Sequence, residues 1–271
     1  MSSELHSNPH FQTWYLFFKT ATPPFDDIRI RQAFSHAIDR DAICRVILKG
    51  HGTPAYTMLS KGFPGYTGDK LKDIQRFDKE RARQLLAKAG FPDGRGFPLV
   101  EFWQRQANPN QMAVAQAIQA MLKDNLGVNL EIKNQETGLY MDNMYQYEIP
   151  FGLIPYQYDY PDPQNMLSQV WHSQPMGYGR HDWTNKRFDD LVDLGGTSME
   201  PTKRMAYYEE AEKVLVEDVG GVFVYHTHWV ELRKPWLKGY TKNKFGNDMF
   251  WSNRTKLMDF YIGNNVERRV K

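Results

Sequence analysis

Two histidines one residue apart, His226 and His228, are the first side chains whose types and spacing could do chemistry. On a strand, a period of two puts both imidazoles on one face, where they could share a metal ion. Two ligands do not complete a site, and His172 and His181 stand at no spacing that supplies a third. The other reading of His226 is a strand histidine facing a cleft or solvent beside Trp229. Cys44 sits in an apolar helical stretch with no assignable base, which is the setting of a small core residue rather than a nucleophile. The carboxylate pairs Asp26-Asp27 and Asp189-Asp190 adjoin helix starts, where capping is the default, and Asp162 before Pro163 reads the same way. No phosphate-cradling glycine loop and no nucleophile-elbow pattern occurs.

Asp159 differs. It ends a predicted strand inside Tyr156-Gln157-Tyr158-Asp159-Tyr160-Pro161-Asp162-Pro163, where three tyrosines surround one carboxylate and two prolines stiffen the loop. A carboxylate framed by aromatic rings suits an ammonium group, because charge pairing and cation–π attraction act together. Spacing alone leaves this reading level with a turn aspartate beside exposed tyrosines.

These side chains need a scaffold. Thr13 to Lys19 predicts a buried strand, and Ile30, Ala33, Phe34, Ala37 and Ile38 predict a helix over 28–39, with a shorter one over 41–49. Residues 51–76 show no period and predict an ordered surface excursion. Asp78 caps a predicted helix that Gly90 ends, and Asn108-Pro109 opens a long one ended by Gly127. Strands at 98–103, 128–132 and 148–158 alternate with helices, the pattern of βαβ units in an α/β layer. Beyond Asp162 come a short helix to about Val170, helices over 185–194 and 200–218, a strand over 222–230 and a last aromatic segment over 256–262.

Composition narrows the function classes. Thirty-four basic against 32 acidic residues leave +2, so no strong attraction to nucleic acid or anionic lipid is written into the chain. No apolar run approaches the roughly 20 residues that span a bilayer, and the start has no targeting pattern. The single cysteine excludes a disulfide framework and leaves the compartment open. Aromatic residues reach 14%, many beside Pro, Gly or Asp, as in ligand-lining loops.

Five blocks in order carry a resemblance. They are Pro24 to Arg40 (PFDDIRIRQAFSHAIDR), Ala82 to Gly94 (ARQLLAKAGFPDG), Asn125 to Gln135 (NLGVNLEIKNQ), Tyr158 to Pro163, and Lys234 to Thr241 (KPWLKGYT). With them the chain resembles the family 5 extracellular solute-binding proteins, the oligopeptide and dipeptide receptors of bacterial ABC importers. The resemblance implies an α/β fold, the C-terminal lobe of a class II periplasmic-binding-protein-like receptor, with a mixed sheet flanked by helices and hinge strands. Residues 28–240 would be the second lobe. Residues 1–27 and 241–271 would be strands of the first, whose N-terminal body is missing here. Such orphan strands should expose the aromatic segments TWYLFF and MDFYI.

The resemblance also implies site residues. The aspartate matching Asp159 pairs with the ligand's α-amino group, and Tyr156 lines the same pocket, with Tyr160 beside it. The strand before the Lys-Pro-Trp motif adds Tyr225 and His226. Where some relatives place an arginine for the peptide carboxylate, this chain has Leu153. The implied function is ligand binding without catalysis or cofactor, in a periplasmic or cell-surface setting, with the transporter's permease subunits as partner. The alternatives are the same receptor binding an oligosaccharide or other non-peptide solute, and a metal-dependent hydrolase using His226 and His228.

Overall fold

The computed structural model describes residues 4–173, 181–240 and 260–263. Its frame is a six-stranded mixed sheet of β1 (Leu5–Phe18), β2 (Gly52–Pro54), β3 (Val100–Arg105), β4 (Leu130–Gln135), β5 (Phe151–Gln157) and β6 (Gly221–Leu232), ordered β2-β6-β1-β5-β3-β4. The βαβ expectation over 98–158 holds: β3 runs parallel to β4 and to β5, with Val100 opposite Leu130 and Trp103 opposite Gly152. The helix Pro109–Leu126 makes the first crossover. Asn108 and Gln111 close a capping box at its start, and Gly127 at φ 72° ends it in the left-handed conformation glycine tolerates best. Asp78 caps Lys79–Lys88 as expected, accepting from the Arg81 amide.

Every second strand residue points to a different core. One face buries Leu16, Phe18, Phe34, Phe102, Ile118, Phe151 and Val222. The other buries Phe11, Tyr15, Phe17, Tyr140, Ile154, Tyr156, Trp171 and Phe223. Two layers of helices covering one sheet is how an α/β domain hides both apolar faces.

Several expectations need correction. The segment Thr13–Phe18 does not lack sheet neighbours: it pairs antiparallel with β5 on one side and β6 on the other, and its side chains are buried. Of the second aromatic segment, Met258 and Asp259 lie outside the described residues, while Tyr261–Ile262 pairs antiparallel with Leu237–Lys238 and leaves both side chains exposed. The strand itself starts at Leu5, because polar residues 6–8 pair with the far end of β6 without any apolar period to announce them. The stretch over 41–49 is a single α-turn, Arg40–Ala42, followed by a π-helical turn, Ile43–Ile47. The excursion over 51–76 contributes β2 and the short helix Gly68–Leu71.

A buried cation ties the first helix to the sheet. Arg40 is 1% exposed and donates Nε to the Phe223 carbonyl at 2.6 Å, Nη1 to the Ser35 carbonyl at 3.0 Å and Nη2 to Ser35 Oγ at 3.0 Å. Burial pulls this guanidinium down to about 10, still charged at neutral pH.

Candidate functional site

β5 ends at Gln157, and the loop after it folds back through side-chain hydrogen bonds. The Tyr156 hydroxyl donates to Asp159 Oδ2 at 3.0 Å, and Asn165 Nδ2 donates to the same oxygen at 3.1 Å. The Asp159 amide in turn donates to Asn165 Oδ1 at 2.9 Å. Asn165 is fully buried, so the exposed aspartate is held by an anchor that cannot swing. Among the described residues, Oδ1 of Asp159 takes no hydrogen bond.

Tyr160 stands at the rim, 40% exposed, bonded to Gln164 Oε1 and accepting from Gln169 Nε2 at 3.0 Å. Tyr158 packs edge-on against Phe11 and Phe63, with ring centroids 5.6 and 5.7 Å away, and partial burial raises its phenol above the ordinary range. Asp162 caps the next short helix by accepting from the Gln164 amide at 2.9 Å, and pairs with Arg204 at 2.6 Å. Its role here is structural, as its place before Pro163 suggests.

The register decides which other residues share this face. In antiparallel pairing, directly opposed residues point the same way. Tyr156 faces Thr13 across β5 and β1, and Thr13 faces His226 across β1 and β6, so the three form one row. The Thr13 hydroxyl donates to the Met58 carbonyl at 2.8 Å. Its oxygen therefore accepts from His226 Nδ1 at 2.9 Å, which leaves Nε2 of that imidazole as an acceptor. Burial, with His228 nearby, pulls His226 down to about 3, so it is neutral at physiological pH.

Tyr225 does not join that row. A register shift in β6 between the partners of Trp14 and Tyr15 turns Tyr225 to the opposite core, where it stacks on Trp14 with centroids 5.6 Å apart and planes 11° from parallel. Burial raises its phenol far above the ordinary range, so it stays protonated. Tyr156, Asp159, Tyr160 and His226 thus gather toward one side of the sheet, and Tyr225 lies on the other.

One charged residue went unmarked in the sequence. Arg105 closes β3, which runs parallel to β5, so both strands end at the same edge as Asp159. Alternation along β3 turns Trp103 and Arg105 to the face of Ile154 and Tyr156. Arg105 Nη1 lies 3.7 Å from Met141 Sδ, and no carboxylate pairs with it among the described residues. Ligands of open α/β sheets collect at the carboxyl ends of parallel strands. A cation closing an alternating strand was the available signal.

His226 and His228 do share a face, yet His228 Nδ1 is 3.2 Å from Ser7 Oγ and burial lowers its pKa. Among the described residues, no group of three His, Cys, Asp or Glu side chains is arranged to hold a metal ion. Cys44 is buried, and desolvation pushes its thiol up to about 12, which removes nucleophilic character at neutral pH. No helix among the described residues is long and apolar enough to cross a membrane.

Comparison with known proteins agrees with this architecture. The chain is 31% identical over 244 residues to heme-binding protein A of Haemophilus influenzae, covering 88% of this chain and 43% of that protein. It is 28% identical over 255 residues to the dipeptide-binding protein of Escherichia coli, covering 92% and 46%. Among solved structures, the Escherichia coli murein tripeptide binding protein MppA superposes with a TM-score of 0.75 at 26% identity, over 89% of this chain and 47% of that one. The dipeptide binding protein of a Pseudoalteromonas species, in complex with Met-Leu, gives 0.76 at 25% identity, over 90% and 48%. The chain thus spans about half the length of the relatives it matches. With the profile for bacterial extracellular solute-binding proteins, family 5, matching residues 2–178, the chain belongs to that family.

Proposed function

We propose that this chain is the C-terminal, ligand-binding lobe of a peptide receptor that supplies an ABC importer in the periplasm or at the cell surface. The six-stranded sheet, with β1 between β5 and β6, is the body of that lobe, and a first lobe belongs to the further length of a longer protein. Short zwitterionic peptides are the ligand class. Asp159 receives the α-ammonium on Oδ1 while Tyr156 and Asn165 hold Oδ2. Tyr160 and His226 flank the peptide, and Arg105 receives its carboxylate at the neighbouring strand end. Two opposite charges at one sheet edge select a molecule with both an ammonium and a carboxylate, and closure of the lobes follows from tighter binding to the closed state. No step of this reading is catalytic.

The observation that carries the reading is the anchored Asp159 carboxylate with one open oxygen, beside an arginine without a carboxylate partner among the described residues. Relatives named for dipeptides and oligopeptides support it. A second reading, a tetrapyrrole ligand, is favoured by the 31% relative named for heme. Calorimetry against a dipeptide and its N-acetylated form tests the first, since acetylation removes the ammonium. Equal affinity for the two would refute it, and a Soret shift on adding hemin would favour the second.

A further inference from the structure

Beneath the ligand face lies a carboxylate that the site does not use. Glu212 is 0% exposed on the helix Pro201–Glu217, and among the described residues it has no ion-pair partner. Both its oxygens accept from one segment: Oε1 from the Leu59 amide at 2.8 Å, and Oε2 from the Thr67 hydroxyl. Those two donors bracket the turns over 59–67, which have no strand or α-helix to stabilise them.

The same segment touches the ligand face at three points. The Met58 carbonyl takes the Thr13 hydroxyl, which in turn orients His226. Phe63 packs edge-on against Phe11 at 5.4 Å and Tyr158 at 5.7 Å, one residue before Asp159. Gly65 lies against Pro163, and a Cβ there would come within 3.1 Å of that ring.

We propose that Glu212 is a positioning residue for the ligand site, a buried clamp that holds residues 58–67 in place and through them sets Tyr158, Asp159 and His226. This deepens the peptide-receptor reading and rests on it for its use, though not for its geometry. A peptide that needs Asp159 and His226 at a fixed spacing would lose its site when the segment lifts.

The clamp has a proton dependence. A carboxyl group cut off from water with no cation favours its neutral form, and burial raises Glu212 to about 7. The titratable groups at this end, Tyr66 with Asp69 on the segment and Glu209 with Lys70 across to the helix, offer it no unpaired cation. When the segment opens, Glu212 meets water and returns toward its ordinary 4.5. The closed form therefore binds the proton more tightly, and closure weakens as pH rises from about 4.5 to 7. Glutamine mimics the neutral acid: its carbonyl can accept from Leu59 while its amide donates to the Thr67 oxygen.

The test is amide hydrogen exchange at Leu59, corrected for intrinsic rate, with the Tyr158 and Asp159 amide shifts followed between pH 5 and 8. In the unaltered chain, protection should fall on the order of a hundredfold across that range, and the two site amides should shift with the same midpoint. Glu212→Gln should keep the protection and flatten both profiles. Should Glu212→Ala unfold the chain, these two proteins alone decide the matter. A flat profile in the unaltered chain, the same slope in Glu212→Gln, or site amides that ignore the Leu59 midpoint would overturn the proposal. A failure of dipeptide binding with the profiles as expected would instead count against the peptide reading.

Discussion

Asp159→Asn is the substitution that reads the site most directly. The anchors decide how the asparagine sits. Tyr156 and Asn165 both donate toward Oδ2, so the new side chain turns its carbonyl oxygen to them and its amide outward, where Oδ1 stood. The shape is kept, but a ligand ammonium now meets a donor instead of a charged acceptor. A hydrogen bond to a charged group contributes about 1.5–3 kcal/mol, and the exposure of Asp159 puts this one at the lower end. Affinity for a free dipeptide should fall about tenfold, and affinity for the N-acetylated dipeptide should hardly change. Calorimetric titration of the chain, and of the chain joined to the complementary half of a family 5 receptor, measures both. A loss of equal size for the free and acetylated peptides would refute the pairing, because it would mean that the substitution acts through shape and not charge.

Other perturbations separate structure from recognition. Asp162→Asn should keep the cap on the Gln164 amide and lose the Arg204 pair, costing about 0.5–1 kcal/mol in urea unfolding with no change in the preference for free over acetylated peptide. Arg105→Gln should weaken a free dipeptide more than its C-terminal amide, which calorimetry on the pair of ligands reads. Arg40→Met should cost about 2–4 kcal/mol by the same unfolding measurement, since the Phe223 and Ser35 carbonyls lose their buried donor; a change under about 0.5 kcal/mol would contradict that account.

Much of this frame is legible in the residue order because local chemistry and tertiary packing agree there. Asp78, Asn108 and Gly127 mark helix ends by capping and left-handed backbone, and the alternation of β3 and β4 with the helix between them forces a parallel crossover. What was illegible depends on register. Tyr225 and His226 are neighbours in sequence, and only the shift in β6 against β1 tells which of them faces Tyr156. Arg105 is one charge among many in the sequence, and only the parallel pairing of β3 with β5 brings it to the edge toward which β5 runs. The first half of β1 carries His, Ser and Asn where an apolar period would have announced a strand, because it pairs beyond the core with the distal part of β6. Glu212 sits in a charged helical sequence, and its burial comes from a segment some 150 residues away in the chain.

Two buried groups titrate against each other in the acid range, and the sign of each is set by its environment. His226 stands near 6.5 when unfolded and about 3 when folded, so the unfolded chain takes up the proton first and stability is lost as pH falls below 6.5. Glu212 has the opposite sense, about 4.5 unfolded and 7 folded, so the folded chain takes up the proton first and stability grows as pH falls from 7 to 4.5. Each slope approaches 1.4 kcal/mol per pH unit. Between 4.5 and 6.5 the two oppose and leave a shallow net dependence. His226→Gln should therefore reveal a chain that gains stability on acidification in that window, and Glu212→Gln one that loses it. The double variant should return to a shallow profile, because each glutamine removes one proton uptake and keeps a neutral partner for its neighbours. Urea unfolding midpoints at half-unit pH steps distinguish these four curves. Parallel profiles for the two single variants would mean that neither burial governs the response.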